Sequence, residues 1–210
     1  MMRRVPLAIG IVVLVLTWSG AASWITPGAF SAHMTAHIAL VAIASPLIVA
    51  AVAGGRHDPA RRFPRLFAPI PASIVELVLV WGWHVPALHH AARTSMAAHM
   101  TEQATFLAAG LLLWSSSAGG DGMRGAARGA AGVAALLFTS MHMTLLGALF
   151  ALTPRALYAA HHGGGAAALA DQHLGGVIML LVGGGSYLVG GLWLTARMLR
   201  AHTPGAEALT

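Results

Sequence analysis

The chain has 210 residues, 57% of them hydrophobic and only 9% charged, against roughly 25% charged in soluble domains, so a water-soluble globule is excluded. Its formal charge of +6 comes from arginine alone, and it has no cysteine, so neither a disulfide nor a thiolate metal cage can form. The arginines lie in short loops beside apolar runs, where membrane topology accounts for them, and no nucleic-acid partner is expected.

The apolar runs predict an all-α, polytopic membrane helix bundle of about six transmembrane helices, forming one integral-membrane domain over residues 1–210. About 20 apolar residues make a helical crossing, whereas a transmembrane barrel would show ~10-residue alternating segments. The first span, about 5–24, follows Arg3 and Arg4. Ala21-Ala22-Ser23 resembles a small-residue cleavage site, so a removed signal peptide stands beside an uncleaved anchor. The second span, about 31–53, leads into an Arg- and Pro-rich loop. The third, about 72–88, carries Glu76, Trp81, Trp83 and His84, and Pro86 is expected to end or kink it. The fourth covers about 95–117, the fifth 127–152 and the sixth 172–199, the last two separated by a loop with His161 and His162. The alanine and glycine bias suits close packing through small residues.

Arg3, Arg4, Arg56, Arg61, Arg62, Arg65, Arg124, Arg128, Arg197 and Arg200 fall on one side of this topology, and only Arg93 and Arg155 on the other. That asymmetry predicts both termini in the cytoplasm. Trp24, Trp81 and Trp83 would then mark the outer interface, and Trp114 and Trp193 the inner one. Ten of the twelve histidines and six of the ten methionines gather toward the outer face. A bilayer penalises polar side chains, so such gathering needs a reason. Imidazole and thioether together suit soft metals such as Cu(I).

The candidate ligands come from five spans. His33-Met34-x-x-His37 opens the second, and its two histidines share one helix face, about 5–6 Å apart at Cβ. They are either a clamp for one ion or two interfacial imidazoles. His84 ends the third span, where it serves either a metal or the carbonyl that Pro86 frees; His89 and His90 follow in what reads as a solvated loop. His99 and Glu102 open the fourth, with Glu102 one turn from His99 as its hydrogen-bond partner, an oxygen ligand or a helix-start acid. Met141-His142-Met143 lies deeper in the fifth; successive helical positions point about 100° apart, so all three cannot face one ion. Asp171-Gln172-His173 opens the sixth, with Asp171 placed as its N-cap or as an anion at the histidine face. Glu76 stands apart, with a proton or packing role open. No nucleophile elbow, phosphate loop or His-Glu-x-x-His pattern is present, so binding and delivery are expected rather than catalysis, with no small-molecule substrate.

The segments resemble the multi-spanning CtaG-like family of cytochrome c oxidase assembly factors, associated with caa-type oxidases. The resemblance runs from about Ser31 to Leu192. It rests on His33-Met34-x-x-His37 with Pro46-Leu47, Trp83-His84-x-Pro86, His99-x-x-Glu102 with Phe106-Leu107 and Trp114, Met143-x-Leu145-Leu146-Gly147-Ala148-Leu149, Pro154-x-x-Leu157-Tyr158, and Asp171-Gln172-x-Leu174-x-Gly176-x-Ile178-Met179. It implies a role in maturing the oxidase, through supply of copper to its catalytic subunit. It also implies functional positions at His33, His37, His84, His99, Glu102, Met143 and Asp171. The chain departs from the pattern at Gln103, where the family commonly has a second His, and at His89, where it often has Tyr. His142, Met34 and the His161-His162 pair are candidates from this sequence alone.

The expected function is thus a non-enzymatic, copper-binding assembly factor. Its His/Met site would include His33, His37, His84, His99, His142, Met34, Met143, Glu102 and Asp171. Its partners would be cytochrome c oxidase subunits and membrane lipid, and its place the bacterial inner membrane, with the site facing the periplasm or exterior. The alternatives are a haem b electron-transfer protein with bis-histidine ligation, a purely structural partner, and an ion or proton pathway using Glu76 and the histidine cluster.

Overall fold

A computed structural model describes residues 4–21, 29–119, 126–158 and 165–201. The described residues are helical throughout apart from turns and connections, with no strand among them. In chain order the helices are α1 (Arg4–Trp18), α2 (Phe30–Val52), α3 (Pro59–Arg62), α4 (Pro69–Trp83), α5 (Pro86–Thr94), α6 (Met96–Ala118), α7 (Ala126–Leu152) and α8 (Gly165–Arg200). Three of them, α2, α7 and α8, are long and apolar enough to cross a membrane, and a fourth crossing is added if α4 and α5 count as one bent span. Six crossings were expected. The difference has two sources: α1 has only 15 residues, and α6, although 23 residues long, carries His99, Glu102 and Gln103 at one end and Ser115–Ser117 at the other. Trp24, the Ala21-Ala22-Ser23 stretch taken as a whole, His161 and His162 lie outside the described residues.

Pro86 acts as expected. Val85 is extended ahead of it, as the proline ring requires of its predecessor, and α4 and α5 meet at 72°. The bend folds α5 across the end of the bundle that holds His33, termed here the histidine end. The opposite, arginine end holds α3 and the C-terminal part of α8. At that end α2 stops at Gly54, whose φ of 69° is the left-handed conformation glycine supplies after a helix; Asp58 then accepts from Gly54 N at 2.6 Å and from Ala60 N at 2.9 Å.

Both α2 and α8 widen to a π-helix near their middles, over Ala39–Ala44 and Met179–Gly184. A π-turn interrupts the regular i→i−4 ladder, and a carbonyl so freed inside a membrane must find another donor. Trp114 Nε1 and Tyr187 Oη both donate to Val41 O, at 2.9 and 3.2 Å. Ser45 Oγ donates to Leu40 O at 2.7 Å, and Ser140 Oγ to Gly184 O at 2.8 Å. Trp114 is therefore buried, 7% exposed, and is not the interfacial anchor its position in the chain implied. Tyr187 also donates to Glu76, whose carboxyl is fully buried in the middle of α4.

Close approach of α7 and α8 depends on Gly147 and Gly176. A Cβ on Gly176 would stand 2.5 Å from Ala151 N, and one on Gly147 2.6 Å from Leu180 N. The core that fills the remaining space runs from Phe30 and Phe150 at the histidine end, through Phe106 and Met179, to Leu136 and Leu194.

Candidate metal centre

Asp171 fixes the start of the helix that carries the first candidate ligand. Helix α8 starts at Gly165, so Asp171 sits a turn and a half inside it and is not its N-cap. Its carboxylate instead crosses to the start of α2, where Oδ2 accepts from Phe30 N at 2.6 Å and Oδ1 from the Ser31 amide and hydroxyl. The anion meets the positive end of the α2 dipole and satisfies orphan N–H groups there. One turn further, His33 faces inward and is 4% exposed.

Three side chains converge on one point. Ligand atoms of His33 from α2, His89 from α5 and Glu102 from α6 lie within 4.8 Å of one another, and all three residues are buried. The His33 and His89 rings stand edge to face at 4.9 Å between centroids. His33 Nε2 is 3.6 Å from Glu102 Oε1, just beyond hydrogen-bond reach. The other carboxylate oxygen, Oε2, accepts from Arg93 Nη2 at 2.5 Å. Arg93 also donates to His99 Nδ1 at 3.1 Å, which makes that nitrogen an acceptor and puts the His99 proton on Nε2. His99 is about one-third exposed and forms the rim.

A second layer of imidazole lies beneath. The His84 ring is 5.9 Å from His33 and 5.3 Å from His37, between centroids. His84 Nδ1 is 2.6 Å from Val80 O. A carbonyl only accepts, so Nδ1 carries the hydrogen and Nε2 keeps its lone pair. The His84 carbonyl accepts from Tyr158 Oη at 2.7 Å. Burial pushes the Tyr158 phenol well above its ordinary pKa, so this donor stays protonated. His37 rests its ring on Phe106 at 3.9 Å. No ring nitrogen of His33, His37 or His142 has a hydrogen-bond partner among the described residues, nor does His84 Nε2 or Glu102 Oε1. Buried polar atoms are normally satisfied, so this group of unpaired imidazole and carboxylate atoms at one end of the bundle stands out, and its lone pairs could hold a cation.

A family model described as cytochrome c oxidase caa3 assembly factor matches residues 1–201. The chain belongs to that family. None of the curated proteins and none of the solved structures compared with it matches.

In this member of the family the sequence candidates separate by place. His33, His84, Glu102 and, at the rim, His99 share the pocket, with His37 adjoining it. His142 is buried on α7 beside Phe138. Met34 is fully buried, but against Gly175 of α8, and Asp171 is committed to the α2 terminus. Met143 belongs to the hydrophobic core. Two residues of the pocket were missed. His89, read as solvated, is 3% exposed and packs on Tyr158 at 4.3 Å between ring centroids. Arg93, read only as a charge on the arginine-poor side, holds the carboxylate. The signal available was their spacing: four residues apart after a helix-starting proline, they share one face of α5.

Proposed function

We propose that this caa3 oxidase assembly factor carries a copper ion in the pocket formed by His33, His89 and Glu102, and hands it to the oxidase without catalysing a reaction. The convergence of those three ligand atoms within 4.8 Å is the observation that carries the reading. Atoms bound to one ion at ~2 Å each stand about 3–4 Å apart, so small side-chain rotations complete the set. His84 Nε2 supplies a further lone pair, with its tautomer held by Val80 O in the way metal-ligating imidazoles are usually held.

Charge favours a monovalent cargo. Glu102 contributes one negative charge and Arg93 one positive, so the pocket is neutral before an ion arrives. A monovalent ion then leaves one net positive charge in the buried pocket and a divalent ion two, and burying the larger net charge costs more. Imidazole suits copper, and without thiolate the ion remains exchangeable, which delivery requires. The arginine asymmetry supports a topology with both termini in the cytoplasm and the pocket near the outer face of a bacterial inner membrane, where an oxidase subunit would take the ion. The haem reading gains no support here, since the His33 and His89 rings meet edge to face with their centroids 4.9 Å apart, too close for a macrocycle between them.

The test is copper analysis of full-length protein after anaerobic loading with Cu(I) and desalting. About one ion per chain is expected, as for single-ion sites of this ligand type. His33→Ala and Glu102→Gln should each lose it while keeping wild-type helicity. Folded variants that retain full copper, or a Soret band in the isolated protein, would overturn the proposal.

A further inference from the structure

A second cavity lies at the arginine end, far from the histidines. It encloses about 980 Å³ between the C-terminal half of α2 and the C-terminal half of α8, a size ordinary for a ligand pocket. Ala42, Val49 and Ala50 form one wall, and Leu181, Val182 and Val189 the other. Trp114 closes the floor; it is locked there by its bond to Val41 O and by the Tyr187 ring stacked on it at 5.2 Å. This floor is thus a fixed surface.

The charged lining is one-sided. Arg61 of α3 and Arg197 of α8 both line the cavity, and among the described residues no acidic side chain does. Asp58, near Arg61 in the chain, is buried and turned to the amides of Gly54 and Ala60. Arg61 donates from one nitrogen to Gly54 O at 3.2 Å, which steadies it while leaving other N–H groups of its guanidinium to bind. Arg197 lies over the Trp193 ring at 4.7 Å, and Trp193 is half exposed, as an indole at a membrane interface would be. An apolar slot within the bilayer span, with two guanidinium groups at its polar end, matches an acyl chain joined to a phosphate.

We propose that the cleft between α2 and α8 is a binding site for one anionic phospholipid, its phosphate held by Arg61 and Arg197 and one acyl chain lying along α2 and α8 down to Trp114. Basic pockets between membrane helices take such headgroups, and arginine matches phosphate through paired N–H donors. The site neither shares a residue with the histidine pocket nor depends on copper.

Native mass spectrometry of the full-length protein in mild detergent tests this, with phosphatidylglycerol and phosphatidylcholine of identical chains as probes. Phosphatidylglycerol should bind about tenfold tighter or more, from two cationic side chains near its headgroup. The double variant Arg61→Gln/Arg197→Gln should bring the two lipids to parity. Gly185→Leu should weaken both, because Gly185 lines the cleft and a Cβ there meets nothing within 4 Å; the added side chain fills the slot without moving backbone. Ala50→Leu, from the opposite wall, is the second filling variant should Gly185→Leu fail to fold. Glycerol 3-phosphate, which has the anion but no chain, should not displace the lipid. Equal affinity for the two lipids in the wild-type protein, retention unaffected by either filling variant, or a co-purified membrane helix cross-linked in place of lipid to Ser186, which lines the cleft, would each overturn the assignment.

Discussion

Replacing Arg93 with methionine should both destabilise the protein and tighten its hold on copper. Arg93 Nη2 stands 2.5 Å from Glu102 Oε2, and the Glu102 side chain is fully buried while Arg93 is 22% exposed. At that separation an effective dielectric of 20 gives about 6–7 kcal/mol of attraction. Desolvation of the carboxylate and partial hydration of the guanidinium offset much of it. Removing one partner of a buried pair costs about 3–5 kcal/mol, chiefly because the other charge is left uncompensated; the exposure of Arg93 places this case near the lower figure. The same change removes the repulsion an arriving cation meets, so Cu(I) affinity should rise by at least about tenfold, which is 1.4 kcal/mol. Thermal unfolding of the detergent-solubilised protein, with and without Cu(I), reads the first effect, and competition with a calibrated Cu(I) chelator the second. The double variant Arg93→Met/Glu102→Gln, which removes both charges, should recover most of the lost stability but bind Cu(I) more weakly than wild type, because the carboxylate is gone. If Arg93→Met leaves the copper-free protein as stable as wild type, or if copper affinity falls, the electrostatic account of the pocket is wrong.

Two further outcomes follow from the geometry. Tyr158→Phe removes the hydrogen bond to the His84 carbonyl, at a cost of about 1 kcal/mol in stability and about tenfold in copper affinity through loss of a supporting contact. Because burial holds the phenol protonated above its ordinary range, the affinity ratio between variant and wild type should be the same at pH 7 and pH 9 in the chelator assay; a ratio that shrinks toward pH 9 would show that the phenol ionises there. Gly176→Ala drives a methyl group against the Ala151 backbone amide and should cost about 1–3 kcal/mol by overpacking, read as a lower melting temperature, with a smaller loss for Ala→Gly changes on exposed helix surface.

Helices and the kink at Pro86 were legible in the sequence, because hydropathy and proline geometry act locally along the chain. So was the gathering of histidine at one end. Family membership was legible too, since His33-Met34-x-x-His37, Trp83-His84-x-Pro86 and Asp171-Gln172 keep their order and spacing. The crossings were read less well: α6 has the length of a span, but the polar groups at its two ends leave it outside the helices apolar enough to count.

The make-up of the pocket was a different matter. His89 and Arg93 read as loop residues until the 72° bend laid α5 over the bundle and turned one of its faces inward. Asp171 read as the cap of its own helix and proved to cap another, 141 positions away in the chain from Phe30. Met34, adjacent to a pocket histidine, points to Gly175 because consecutive helical positions diverge by about 100°. Residue type and periodicity follow from the covalent order of the chain, so the membrane class and the supply of imidazole and carboxylate groups were set there. Which lone pairs meet depends on crossing angles and on where glycine lets backbones touch. Those are properties of helix pairs, and no single stretch of sequence carries them.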